Sequence, residues 1–136
     1  MRAEIQTTIA EIETSLELLR QRMGWETARH RLEEFDARVE DPTLWDDPAK
    51  AQKLMRDRQG LVDAIATHDT IQQEMQDNVE LIELGEMEGD ADVVAEAEAA
   101  IKALARKAAQ KELEALLNGE ADANDAFLEI HAGAGG

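Results

Sequence analysis

Residues 129–136 read EIHAGAGG, and their glycines are the first place to look for chemistry. Gly133-Ala134-Gly135-Gly136 suggests a backbone that could cradle a phosphate. A phosphate loop, however, needs G-x-x-x-x-G-K-[ST], and a dinucleotide loop needs G-x-G-x-x-G opening a helix. Neither pattern is complete, and no helix follows in this sequence. Asp90-x-Asp92 and Asp122-x-Asn124 have the opening spacing of a calcium loop. Val94 and Ala126 stand where a third oxygen ligand belongs, and the central glycine is missing. His30, His68 and His131 are too scattered to make a zinc set by spacing, and His68 falls on an apolar stripe, where a packed histidine is the plainer reading. There is no cysteine, which removes disulfides, thiol nucleophiles and thiolate-bound metals. Among 31 carboxylates no acid–base pair can be singled out. The residue types therefore assign no catalytic residue, no cofactor and no metal, and the expectation is a chain that is not an enzyme.

Composition points instead to helices that bind something. Only four aromatic side chains occur, Trp25, Phe35, Trp45 and Phe127, and Ala, Leu, Glu, Asp, Arg and Gln dominate. That is the vocabulary of bundles and coiled coils, with little room for a deep pocket. No apolar run reaches the roughly 18 residues a membrane span needs, and the charged N-terminus is unlike a signal peptide. A cytoplasmic protein without a membrane partner is expected. The net charge of −17 argues against a direct nucleic-acid site, because phosphate neutralisation needs clustered Lys and Arg. Residues 59–101 contain no Lys or Arg but carry twelve acids, from Asp63 to Glu98. The stretch is either a solvated face that maintains solubility or a surface attracted to a basic protein.

The helices that would position such a surface follow from spacing. Ile5, Ile9, Ile12, Leu16, Leu19 and Met23 recur at intervals of 4, 3, 4, 3 and 4, a heptad-like seam. Gly24 stops it, and Trp25, Ala28, Leu32, Phe35 and Val39 carry a second rhythm. Two helices, or one helix kinked at Gly24, satisfy this pattern equally. In VEDPTLWDDPAKAQKLM each Asp-Pro suits a helix start, Asp as N-cap and Pro in the first turn. Asp41-Pro42 should open a short turn and Asp47-Pro48 a third helix. Leu44 and Trp45 are expected to fold back between them as an apolar plug, the alternative for Trp45 being a partner-binding anchor.

The third helix should be long, with Leu54, Leu61, Ile65, His68, Met75, Val79 and Ile82 on one stripe and Arg58 and Gln72 interrupting it. Gly85, Gly89 and Asp90 mark its end, and Asp90 or Asp92 can cap a fourth helix. The fourth seam reads Val94, Ala97, Ile101, Leu104 and Ala108, continuing to Leu113 and Leu116, with small alanines allowing close helix approach and Gly119 ending the helix. Short connections reverse the chain, so the fold class is all-α, an antiparallel helical bundle or elongated coiled-coil hairpin. In DANDAFLEIHAGAGG the period changes to two, a short strand-like segment that suggests the start of another domain. The expected division is a helical domain over residues 1–119 and a linker with a first strand over residues 120–136.

DPTLWDDPAKAQKLM, NVELIELGEMEGDADV and GEADANDAFLEIHAGAGG together resemble the bacterial peptide chain release factor 2 family, along essentially the whole sequence and in the same order. The sister factors that read UAG and UAA are similar at the final glycines but differ at DPTLWDDP. The resemblance implies translation termination at UGA and UAA codons. Members of the family carry a Ser-Pro-Phe tripeptide that reads the codon and a Gly-Gly-Gln loop that promotes peptidyl-tRNA hydrolysis; neither occurs in this sequence. Leu128-Glu129-Ile130-His131-Ala132-Gly133 matches the family's strand leading into the codon-reading domain, and the resemblance therefore implies a structural turn at Gly135-Gly136 rather than the hydrolytic pair. The implied identity is an N-terminal helical domain, the chain stopping where the codon-reading domain begins. Its implied partners are the ribosome, at the stalk base of the large subunit, and the GTPase release factor. The alternative is a self-standing acidic coiled-coil adaptor or homo-oligomerisation module, and a homodimer of the isolated fragment is compatible with either.

Overall fold

The computed structural model describes residues 1–123, with side chains through Leu117. Among them are four α-helices, α1 (Ala3–Met23), α2 (Trp25–Val39), α3 (Pro48–Glu88) and α4 (Ala91–Ala123), and a 3₁₀ turn at Pro42–Asp46. The strand-like segment expected around Phe127–Ala132 lies outside the described residues.

Side-chain pairs set the helix directions. The N-terminal ammonium meets Glu86 at 2.8 Å, and Arg20 near the other end of α1 meets His68, so α1 runs antiparallel to α3. Arg2 reaches Glu98, Glu4 reaches Lys102, and Ser15 Oγ donates to Glu112 at 2.8 Å, so α1 runs parallel to α4. The result is an up-down-up three-helix bundle on the C-terminal half of α3. Ile5, Ile12, Leu16, Ile71, Ile82, Ile101 and Leu104 fill its core, with Ala97 and Ala108 letting the backbones approach. Burying each large aliphatic side chain contributes about 1.5–3 kcal/mol. At its N-terminal half α3 packs instead on α2 and the 3₁₀ turn, around a smaller cluster of Leu44, Ala51 and Leu54 with Phe35 and Val39 against it. At 1.5 Å per residue α3 is about 60 Å long and spans both parts.

The caps form where the sequence places them. The Asp41 carboxylate accepts from the Thr43 N–H and hydroxyl, and the backbone hydrogen bond first, the hydroxyl second, hold that carboxyl below the usual carboxylate range. Asp47 accepts from the Lys50 N–H, and of the two candidates for α4 it is Asp90 that accepts from Val93. Gly24 separates α1 from α2 in the left-handed conformation at φ 68°, so the pair is two helices and not one kinked helix. Arg31 reaches back from α2 to donate to the Met23 carbonyl at the end of α1. A Cβ at Gly24 would stand 3.2 Å from Arg31 Nη2, whereas one at Gly89, at φ 69°, would meet nothing within 4 Å. Gly24→Ala is therefore expected to cost about 1–2 kcal/mol in urea denaturation, and more than Gly89→Ala, because only at Gly24 is the arginine cap displaced as well.

Four expectations need correction. Trp45 is not a plug: Leu44 alone turns inward, and Trp45 stays 53% exposed, its indole N–H donating to the Val39 carbonyl at 3.1 Å. Ile71 is fully buried and absent from the expected α3 stripe. Because α3 faces both α1 and α4, its buried face is wider than a two-helix seam. Leu113 is 55% exposed, and the inward position is taken by Glu112, which holds Ser15, with Ala115 beyond it against the core. Gly119 does not end α4, which continues to Ala123. One glycine costs a helix only about 1 kcal/mol and does not by itself terminate it.

Candidate functional site

His30 and His68 do not converge. His30 on α2 is exposed beside Glu33 and Glu34, His68 on α3 is buried, and His131 is outside the described residues, as is the glycine run at 133–136. Asp90 is occupied as an N-cap, and Asn124 of the Asp122-x-Asn124 spacing is also outside the described residues. Among the described residues no group of three His, Cys, Asp or Glu side chains is placed to hold a metal ion. No helix of the described residues is long and apolar enough to cross a membrane.

His68 instead ties three helices together. Arg20 Nη1 lies 2.9 Å from its Nε2, and since a guanidinium only donates, Nε2 accepts and the proton sits on Nδ1. Nδ1–H then donates to Asp69 at 3.0 Å. The Trp25 ring lies against the imidazole with centroids 4.3 Å apart. With both nitrogens engaged and the ring buried, this histidine fixes the junction of α1 and α2 against α3 and presents nothing to a substrate.

Among the described residues, two surfaces besides the exposed Leu113 and Leu117 of α4 could engage a partner. One is a shallow open groove lined by Trp45, Pro48, Ala51, Gln52, Met55 and Arg56. The other is the outward face of the last three turns of α3. Leu81 is 44% exposed, Leu84 48% and Met87 84%, and Asp77, Glu80, Glu83 and Glu88 are exposed around them. Nearby carboxylates are partnered: Glu86 by the N-terminal ammonium, Glu98 by Arg2, Glu74 by Lys107. Glu80, Glu83 and Glu88 meet no cation within 4 Å among the described residues, and their own stretch, 59–101, has no Lys or Arg to offer them one turn away. The acidic run is visible in the sequence; the apolar side chains within it lie off the Val79–Ile82 seam, and that displacement is the one sequence signal that marks them as outward-facing.

A family model described as the PCRF domain matches residues 28–136. The chain belongs to that family. It is similar to the peptide chain release factor 2 of Ruegeria sp. (strain TM1040), 74% identical over all 136 residues, which cover 36% of that protein. It is 71% identical to the peptide chain release factor 2 of Roseobacter denitrificans (strain ATCC 33942 / OCh 114), again over the whole chain and 36% of the relative. The similarity persists at 49% identity to that of Paramagnetospirillum magneticum (strain ATCC 700264 / AMB-1), over the whole chain and 37% of the relative. The chain thus spans little more than a third of the length of the curated relatives it matches. As in the sequence reading, a helical bundle is what this PCRF chain builds.

Proposed function

We propose that this chain serves translation termination as the N-terminal helical domain of a release factor 2-type protein. In that role it binds the ribosome, while stop-codon reading and the promotion of peptidyl-tRNA hydrolysis belong to the remainder of such a protein. The observation that carries the reading is the 74% identity sustained along all 136 residues. A helical bundle with an exposed acidic and apolar edge, and with its buried polar groups committed to packing, supports a binding role over a catalytic one. The contact is proposed to lie at the stalk base of the large subunit, with the GTPase release factor as a further partner; these finer placements rest on the family resemblance.

The test uses ribosomes carrying an aminoacyl-tRNA in the P site and UGA in the A site. The 136-residue chain is expected to co-sediment with them at low salt and to release no amino acid. Release by the chain alone would overturn its assignment as non-catalytic, and a chain that stays off ribosomes would overturn the binding role. The adaptor reading has its own support, the exposure of Leu113 and Leu117 one turn apart on α4. It would take precedence if ultracentrifugation found a stable dimer that does not touch ribosomes.

A further inference from the structure

We infer that the outward face of α3 formed by Leu81, Leu84 and Met87 is the docking surface for a basic amphipathic helix of a ribosomal protein. The inference rests on the ribosome-binding reading above and names the chemistry of the partner. These are the large apolar side chains left most open on α3 in the bundle, 44%, 48% and 84% exposed, and they follow each other at intervals of three along one helix. At 1.5 Å per residue they span about 9 Å, close to two turns, which is the reach over which two or three apolar anchors of a crossing helix engage.

Charge selects the occupant. Asp77, Glu80, Glu83 and Glu88 rim the apolar patch, all exposed, and none of the four meets a cation within 4 Å among the described residues. The field they make comes on top of a 43-residue stretch, 59–101, without one basic residue. RNA is repelled, since binding it requires cations that neutralise phosphate. A second copy of the chain is repelled too, because a symmetric contact would lay this acidic rim against its own image. A helix bearing apolar residues on one face and Lys or Arg along its flanks meets both demands: its apolar face covers the leucines and the methionine, and its flanks pair with the unpaired carboxylates. The other open surfaces lack this combination. The Trp45 groove has Arg56 in its wall, and the turn before Leu113 on its side of α4 offers Ala109 and Gln110, neither of them a carboxylate.

The absence of cysteine allows a single photoreactive label. Leu84→Cys carrying a benzophenone maleimide, and Thr70→Cys as an exposed control two turns or more away, are irradiated on 70S ribosomes. The expected result is a cross-link from position 84 to a Lys/Arg-rich helical segment of one ribosomal protein, absent from position 70. In parallel, Leu81→Ser combined with Met87→Ser should weaken ribosome binding about tenfold while leaving the circular dichroism unchanged, as loss of interface anchors does. Cross-linking to RNA, to a second copy of the chain, or to nothing while the labelled chain still co-sediments would each overturn the docking surface and leave the proposed function standing. Unaltered affinity of the serine variant would do the same. A wild-type chain that fails to co-sediment at all would remove the ribosome-binding role itself, and the docking surface with it.

Discussion

Ile101→Ala should lower the unfolding free energy by about 2–5 kcal/mol, the range for truncating a fully buried isoleucine without collapse of the site. Ile101 is 0% exposed and sits in the core cluster with Ile5, Ile12 and Ile82, level with the start of α1, where α1, α3 and α4 all contribute. Neighbours on three helices cannot close the cavity without shifting the caps and ion pairs that fix helix register, so little relaxation is available. For a domain of this size each kcal/mol moves the melting temperature by about 4 °C, and the loss is a large share of a typical total of about 5–15 kcal/mol. Leu113→Ala is the paired control. Its side chain is 55% exposed, and the expected cost is below about 0.5 kcal/mol. Thermal and urea melts of the two variants therefore test the register of α4 directly. Equal costs at 101 and 113 would mean that the seam does continue through Leu113 and that Glu112 does not face Ser15.

How much the sequence disclosed depends on how many neighbours each element has. The seam of α1 could be read because its intervals of three and four select one face, and the residues read there are those that pack. The Asp-Pro starts were legible because a cap is a local arrangement: Asp41 and Asp47 need only the next few N–H groups. A two-helix template is too narrow for α3. Intervals of three and four put Gln72 on the stripe and Ile71 off it, but a helix with neighbours on two sides buries both flanks of its seam. Trp45 failed for a different reason. In a five-residue 3₁₀ turn adjacent side chains diverge, so Leu44 and Trp45 cannot both point inward, and the indole is held outward by its bond to Val39. The acidic character of the candidate surface was plain from composition. Its apolar members were not, because they gain meaning only once the core face of α3 is known and they are found outside it.

Replacing His68 tests whether the junction of the two parts of the fold depends on a polar contact or on volume. His68→Ala is expected to cost about 2–4 kcal/mol, since it opens a void beside Trp25 and removes the acceptor of Arg20. His68→Leu restores most of the volume but no acceptor, and Arg20, only partly exposed, keeps Glu17 at 3.3 Å as a partner. A buried polar contact replaced by packing of similar shape is often close to neutral, so the leucine variant should lose about 1–2 kcal/mol. Stability alone would not separate a rigid junction from a loosened one. The near-ultraviolet circular dichroism of Trp25, recorded in a Trp45→Phe background so that one indole reports, supplies the second readout. With alanine the Trp25 signal should collapse while helix content is retained, because Gly24 then joins α1 to α2 with no fixed angle against α3. With leucine it should diminish only in part. If the leucine variant matches the wild type in both stability and dichroism, the hydrogen bonds of His68 contribute nothing that shape does not, and the junction is held by packing of Trp25 alone. If leucine is as damaging as alanine, the Arg20–His68–Asp69 chain is what sets the angle between α1 and α2, and through it the position of the 3₁₀ turn and the Trp45 groove relative to the acidic end of α3.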